Sequence, residues 1–415
     1  MPLALFILGL VAVLFAYRVH LTVRRPGELA VALFFPAWLM GEMPIHAAIL
    51  FVATAVVFIA EGALVEPLGF VGIALLLVAG LSPLRSLRDA RRTARVASDL
   101  LGRPVRAEPS WSRLAMPAWY GDRAIRREHH RYGPHRRNVA DVYLPRAAPA
   151  QTPPGPRPIL VYIHGGAWVI GFRRFQGRLL TRRLVHAGWV VVSIGYRLSP
   201  IARWPDHIID VKRALAWVRA ESPRWSGDPS RIAVSGGSAG GHLAALAALT
   251  PNYPAWQPGF EAADTSIQAC VPWYGVYDLL DRRSHFPHGA LRRLWEIAIM
   301  RARMKDAPAA YAEASPLTHL GPNAPPFLIV HGSHDTLVPP AVARAFAEVH
   351  PRATYLEVPG AEHACDVLYS TRAAHAVEAA AMWLEQTLAP VPPDPTDHAP
   401  GPGTAGTPII GTPTI

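Results

Sequence analysis

Four apolar runs open the chain. Residues 1–17 carry no charged side chain, residues 29–41 are apolar over 13 positions, and residues 43–60 and 67–84 are apolar over 18 positions each. A helix needs ~20 apolar residues, and ~17 at the least, to cross the hydrocarbon core of a bilayer. The first, third and fourth runs reach that length, and the second falls short. So few charges leave no polar face for water, so residues 1–84 read as a helical membrane anchor of about three spans, with the second run interfacial or re-entrant. Beyond it the periodicity changes. Residues 138–145 alternate as a strand. Short β-branched or apolar runs at 159–163, 189–194, 232–234, 267–271, 326–332 and 353–358 read as further strands, with helical patterns near 173–187, 206–220 and 243–249. This alternation predicts an α/β domain over 138–388, a mostly parallel sheet with helices on both faces. Residues 272–325 interrupt it with Trp273, Tyr274, Tyr277, Phe286, Trp295 and Met300. They read either as a cap insertion over the active-site face or as surface helices with a small core of their own. Residues 389–415 are rich in Pro, Gly and Thr, lack any core-forming period, and read as a disordered tail.

Charge adds a partner to this outline. The net charge is +11, and its distribution matters more than its total. From Arg85 to Arg146 there are 15 arginines against six acidic residues. Residues 85–137 therefore form a basic connector, which also holds Trp111, Trp119 and Tyr120. No nucleic-acid motif accompanies it, and a basic stripe beside an anchor points to anionic lipid headgroups. Arginines at 18, 24 and 25 follow the first run, and Arg85, Arg88, Arg91, Arg92 and Arg95 follow the last. The positive-inside rule puts both clusters, and the domain that follows, in the cytoplasm of a multi-pass membrane protein. Cys270 and Cys365, the two cysteines, read as buried free thiols. His129, His130 and His135 lie in a basic stretch without carboxylate or cysteine ligands at the right spacing, so no metal is expected.

The chemistry gathers around Gly236-Gly237-Ser238-Ala239-Gly240, a G-x-S-x-G turn between a strand and a helix. A serine at so sharp a turn sits in strained backbone, and side chains beside it would clash. The spacing is not that of a dinucleotide-binding turn, and no lysine follows the last glycine as in a phosphate-binding loop. Asp335 comes just after the 326–332 strand and His363 just after the 353–358 strand, where open α/β sheets place their sites. The order Ser238, Asp335, His363 is that of a hydrolase triad on this architecture. Upstream, the 159–163 strand leads into His164-Gly165-Gly166-Ala167-Trp168, an H-G-G loop of the kind that supplies oxyanion N–H donors.

Together with Gly195-Tyr196-Arg197-Leu198 and Gly360-Ala361-Glu362-His363, these motifs resemble the α/β-hydrolase esterases of the hormone-sensitive-lipase-like group. Within that group the chain is similar to bacterial membrane-anchored carboxylesterases of the lip type. The resemblance covers residues 138–388. It implies Ser238 as nucleophile, His363 as base, Asp335 as the group that orients it, and the N–H groups of Gly165, Gly166 and Ala239 as oxyanion hole. It implies ester hydrolysis through an acyl-enzyme on an ester or lipid substrate, without cofactor or metal. An acyltransferase or amidase with the same triad, and a non-catalytic membrane scaffold, stay open as alternatives.

Overall fold

The computed structural model describes residues 2–20, 31, 33–118, 121–147, 155–286 and 289–389. The apolar runs form helices α1 (Pro2–His20), α2 (Phe34–Glu42), α3 (Pro44–Ala60) and α4 (Pro67–Leu81). Helices α1 and α4 lie along each other at close range because Gly9 and Gly72 leave room. A Cβ on Gly72 would sit 2.7 Å from Leu5 Cγ, and one on Gly9 would sit 2.8 Å from Leu75 Cβ. Leu5, Ala12, Ala16, Leu76 and Ala79 are buried between the helices, whereas Leu3, Leu10, Ile49, Leu50, Val57 and Phe70 face outward. Apolar residues thus cover the outside of the bundle, the reverse of a helix cluster built for water. Helix α4 continues through a short 3₁₀ turn (Ser82–Arg85) into α5 (Ser86–Leu101).

The number of spans departs from the expectation. Among the described residues one helical stretch, Pro67–Leu101, is long and apolar enough to cross a bilayer. Helices α2 and α3 qualify only jointly and are bent by 102° where they meet. The apolar part of α1, Pro2–Tyr17, is too short by the same measure. By length and composition one such helix, or two if the bent pair is counted, qualifies among the described residues, where about three spans are expected. Arg24, Arg25, Trp119, Tyr120 and residues 390–415 lie outside the described residues.

One eight-stranded sheet follows, from β1 (Ile125–Arg131), β2 (Val139–Pro145), β3 (Arg157–Ile163), β4 (Val190–Ile194), β5 (Gly227–Gly237), β6 (Ala269–Trp273), β7 (Phe327–Gly332) and β8 (Ala353–Val358). The order across the sheet is β1-β2-β4-β3-β5-β6-β7-β8. The β1–β2 and β2–β4 pairs are antiparallel, and every later pair is parallel. Helices α6 (Arg178–His186), α7 (Asp206–Glu221), α8 (Ala239–Leu249), α9 (Pro340–Val349) and α10 (Thr371–Thr387) cover both faces. On β3, Ile159, Val161 and Ile163 enter the core shared with α7, α8 and α9, while Leu160 enters the core shared with α6 and α10. Burial on both sides is why the central strands read as unbroken apolar runs.

Two features differ from the sequence reading. Strand β1 lies within the stretch read as connector. Its sequence, Ile-Arg-Arg-Glu-His-His-Arg, belongs to an edge strand whose charges face water, so it carries no apolar alternation. His129 and His130 sit on it, bonded to Asp141 Oδ1 at 3.0 Å and Glu128 Oε2 at 3.1 Å. The interruption at 272–325 has no separate core. Tyr277, Phe286, Trp295, Ile299 and Tyr311 join the core under α7 to α9, and Ile299 O accepts the Trp204 N–H at 2.9 Å.

The tight α1–α4 contact makes a test. Gly72→Val is expected to overpack it by about 1–3 kcal/mol and to lower the thermal midpoint of the detergent-solubilised chain. Leu10→Val, on the outer surface, is expected to leave that midpoint in place.

Candidate active site

Strand β5 ends at Gly237 and α8 begins at Ala239, so Ser238 alone makes the turn. Its backbone is at φ 56°, ψ −120°, a region that side-chain-bearing residues avoid. The glycines permit it. A Cβ on Gly236 would lie 2.6 Å from the carbonyl carbon of Gly240, and one on Gly241 would lie 2.8 Å from Trp273 O. The Ser238 N–H donates to Trp273 O at 2.9 Å, pinning the turn to β6. The hydroxyl thus stands half-buried at the N-terminus of α8, where the free N–H groups of the first turn favour negative charge.

Asp335 follows β7 and is buried. Its Oδ1 accepts the backbone N–H groups of Leu337 (3.0 Å) and Val338 (2.8 Å). Its Oδ2 accepts His363 Nδ1 at 2.7 Å and lies 3.1 Å from His331 Nε2. Burial alone would raise its pKa, but the His363 charge and the hydrogen bonds from His331 and His363 outweigh burial and hold the carboxyl below its usual range. When the ring is neutral and gives its Nδ1–H to Asp335, the Nε2 lone pair of His363 is the position that accepts a proton. Among the described residues no hydrogen bond joins the Ser238 hydroxyl to this ring. Tyr274 borders both turns: its ring lies 4.6 Å from that of His363, and its hydroxyl stands 2.6 Å from where a Gly237 Cβ would be.

The H-G-G loop is shaped by His164. Its Nδ1–H donates to Gly165 O at 2.8 Å, its ring stacks on Tyr196 at 4.5 Å, and the Tyr196 hydroxyl donates to His164 O at 2.9 Å. Gly166, Ala167 and Trp168 take positive φ values of 116°, 53° and 60°. The expected donor set needs one correction. Gly165 N–H is already donated to Gln176 Oε1 at 2.6 Å, so that amide is engaged, and Gly166 and Ala239 are left as the candidate donors.

Residues 140–349 match the BD-FAE family, half of the chain. The chain belongs to the BD-FAE family. Among curated proteins it is 46% identical over 259 residues to the probable carboxylic ester hydrolase LipM of Mycobacterium tuberculosis, covering 60% of this chain and 58% of LipM. It is 44% identical to the esterase LipQ of the same organism, covering 61% and 60%. The match thus spans less than two thirds of these relatives' length. Among solved structures, esterase 2 of Thermogutta terrifontis phosphonylated by sarin superposes with a TM-score of 0.54 at 26% identity, over 64% of this chain and 97% of that one. The BD-FAE match begins inside β2 and ends with α9, so Ser238 and Asp335 lie within it and His363 lies beyond.

Around this BD-FAE core the structure adds residues that sequence reading passed over. Glu362 Oε1 accepts Thr336 N (2.6 Å), Thr336 Oγ1 (3.1 Å) and His363 N (3.1 Å), tying the Asp335 turn to the His363 turn. Its place next to His363 was the available signal. Gln176 and Tyr274 had none, since each reaches the site by tertiary contact alone. The Tyr274 hydroxyl donates to Asp366, which burial raises to about 6.

His164 and His242 carry the pH prediction. Burial lowers both to about 4 from an ordinary 6.5. Between those values the unfolded chain takes up protons that the folded chain refuses, so stability falls as pH drops from 6.5 to 4. The thermal midpoint is expected to decline across that window, and His164→Asn is expected to flatten the decline.

Proposed function

We propose that the protein is a membrane-anchored serine carboxylesterase. The observation that carries this reading is the Asp335–His363 pair at 2.7 Å, on the face where Ser238 stands in its strained turn. In the proposed reaction Ser238 Oγ attacks the ester carbonyl as His363 Nε2 takes its proton. The oxygen that gains negative charge meets the N–H groups of Gly166 and Ala239. His363 then returns the proton to the departing alcohol, leaving an acyl-serine. Water, deprotonated by the same ring, attacks the acyl carbon and releases the acid. Asp335 holds the imidazole in the tautomer that this sequence needs. The names of LipM and LipQ support ester hydrolysis over the other acyl transfers open to such a triad.

We infer that residues 1–84 form the anchor. The outward apolar surfaces of α1, α3 and α4 support it. So does a cleft of about 340 Å³ where α5 meets the loops after β7 and β8, lined by Arg85, Arg88, Arg92, His334 and Gly360, with one carboxylate, Asp89, paired to Arg92 at 3.2 Å. That cleft suits an anionic headgroup. The positive-inside rule then assigns the catalytic domain to the cytoplasmic side, with the Arg85 to Arg95 cluster.

Ser238→Ala is expected to lower kcat on a short soluble ester by on the order of 10⁶, to the limit of detection. Asp335→Asn is expected to cost roughly 10⁴ through the wrong tautomer of His363. Asp366→Asn, which leaves Tyr274 an oxygen to donate to, should remain within about tenfold of wild type. Near-normal activity in Asp335→Asn beside a severe loss in Asp366→Asn would reassign the carboxylate.

Carbonate washing of membranes is expected to leave the full chain in place until detergent is added. Protease applied to intact spheroplasts should leave the catalytic domain uncut, and its digestion would reverse the orientation.

A further inference from the structure

We propose that α2, the short arm of the N-terminal segment, is a working part of the active site, fixing the loop that carries His363, with Trp38 as the positioning residue. The proposal rests on the serine-hydrolase reading above and goes beyond it, because it makes the anchor more than a tether.

The contacts fall on the points that decide the loop's shape. Ala364, directly after the histidine, has φ 60°, in the left-handed region that a residue with a Cβ occupies only when its surroundings impose it. Its carbonyl accepts the Trp38 indole N–H at 3.1 Å, from 326 residues away in sequence. Trp38 also packs with Val367 and Leu368, and Phe34, one turn earlier, sets its ring edge-on to His363 with centroids 6.2 Å apart. The loop's start and end are held as well. Arg372 Nη1 donates to Gly360 O at 2.7 Å, and its other terminal nitrogen pairs with Glu42 at the end of α2. Glu42 Oε2 in turn accepts the Ser370 hydroxyl at 2.8 Å. The Glu42 and Arg372 side chains are 0% and 3% exposed, so neither charge has water to fall back on if the other is removed. On the neighbouring loop, Val19 O lies 3.1 Å from His334 Nδ1, one residue before Asp335. The bend after Glu42 turns α3 away and leaves α2 against the catalytic loop. The same arm shows apolar residues on its free side, Phe35 and Leu39.

A tryptophan that merely fills space can be replaced by phenylalanine at little cost to the reaction, whereas one that holds Ala364 through its N–H cannot. The test uses the full chain in detergent, with Trp38→Phe and, as a control on the exposed side of the arm, Leu39→Ala. Trp38→Phe is expected to lower kcat on p-nitrophenyl butyrate roughly 10- to 100-fold with KM within about threefold, because small misplacements of a catalytic group are costly. The rate of Ser238 labelling by a fluorophosphonate should fall in parallel, and Leu39→Ala should match wild type. A second readout needs no activity: backbone amides of residues 361–367 should exchange hydrogen at least about tenfold faster in Trp38→Phe, with those of β6 and β8 unchanged. Wild-type exchange at 361–367 together with a wild-type labelling rate would overturn the proposal. If wild-type protein fails to label at Ser238, the esterase reading falls instead, and the exchange comparison still decides whether Trp38 holds the loop.

Discussion

The backbone of Ser238 is the constraint on which the site depends. A left-handed residue between a buried strand and a buried helix persists only where the surroundings leave it no alternative. Here they do so by closeness. Strand β6 approaches near enough for Trp273 O to take the Ser238 N–H, and the chain folds back tightly enough that Gly236 and Gly241 admit no side chain. Both approaches follow from a parallel sheet packed on both faces, whose strands end together at one edge. The Asp335 and His363 turns leave that same edge from β7 and β8. The sheet thus spends packing on one unfavourable residue and obtains a hydroxyl at the start of a helix.

Much of this was legible from residue order. Strands buried on both sides announce themselves as short apolar runs, and β8 was read at its observed bounds. The triad candidates stood at strand ends because this fold has little choice about where loops of this kind emerge. What escaped was of two kinds. Strand β1 has no apolar face, so periodicity has nothing to register; its place at the sheet edge comes from backbone pairing with β2, to which side-chain pattern is blind. The contacts of Tyr274 with Asp366 and of Trp38 with Ala364 join residues far apart along the chain, and that of Gln176 with Gly165 spans the loop between two residues 11 positions apart. Each is a single polar bond made by a residue whose local pattern suits many other roles. The Gly165 case is instructive: a motif names the donors, but a neighbouring amide oxygen decides which of them is free.

The N-terminal segment shows the same limit at larger scale. Its apolar runs were plain to see, yet composition says nothing of what a helix leans on. Small residues let α1 and α4 close together, and the bend between α2 and α3 directs Trp38 and Glu42 away from the bundle and into the α/β domain.

That arrangement has a consequence for how the molecule comes into being. Chains emerge from the ribosome N-terminus first, and contacts between distant residues form late because long loops must close before they are made. Trp38 and Glu42 exist for most of the period of synthesis before their partners at Ala364 and Arg372 are translated. The segment against which Ala364 is seated, and the serine turn with its β6 partner Trp273, are thus translated before the His363 loop. Maturation of the site is in this sense a docking event between segments 326 residues apart in the chain.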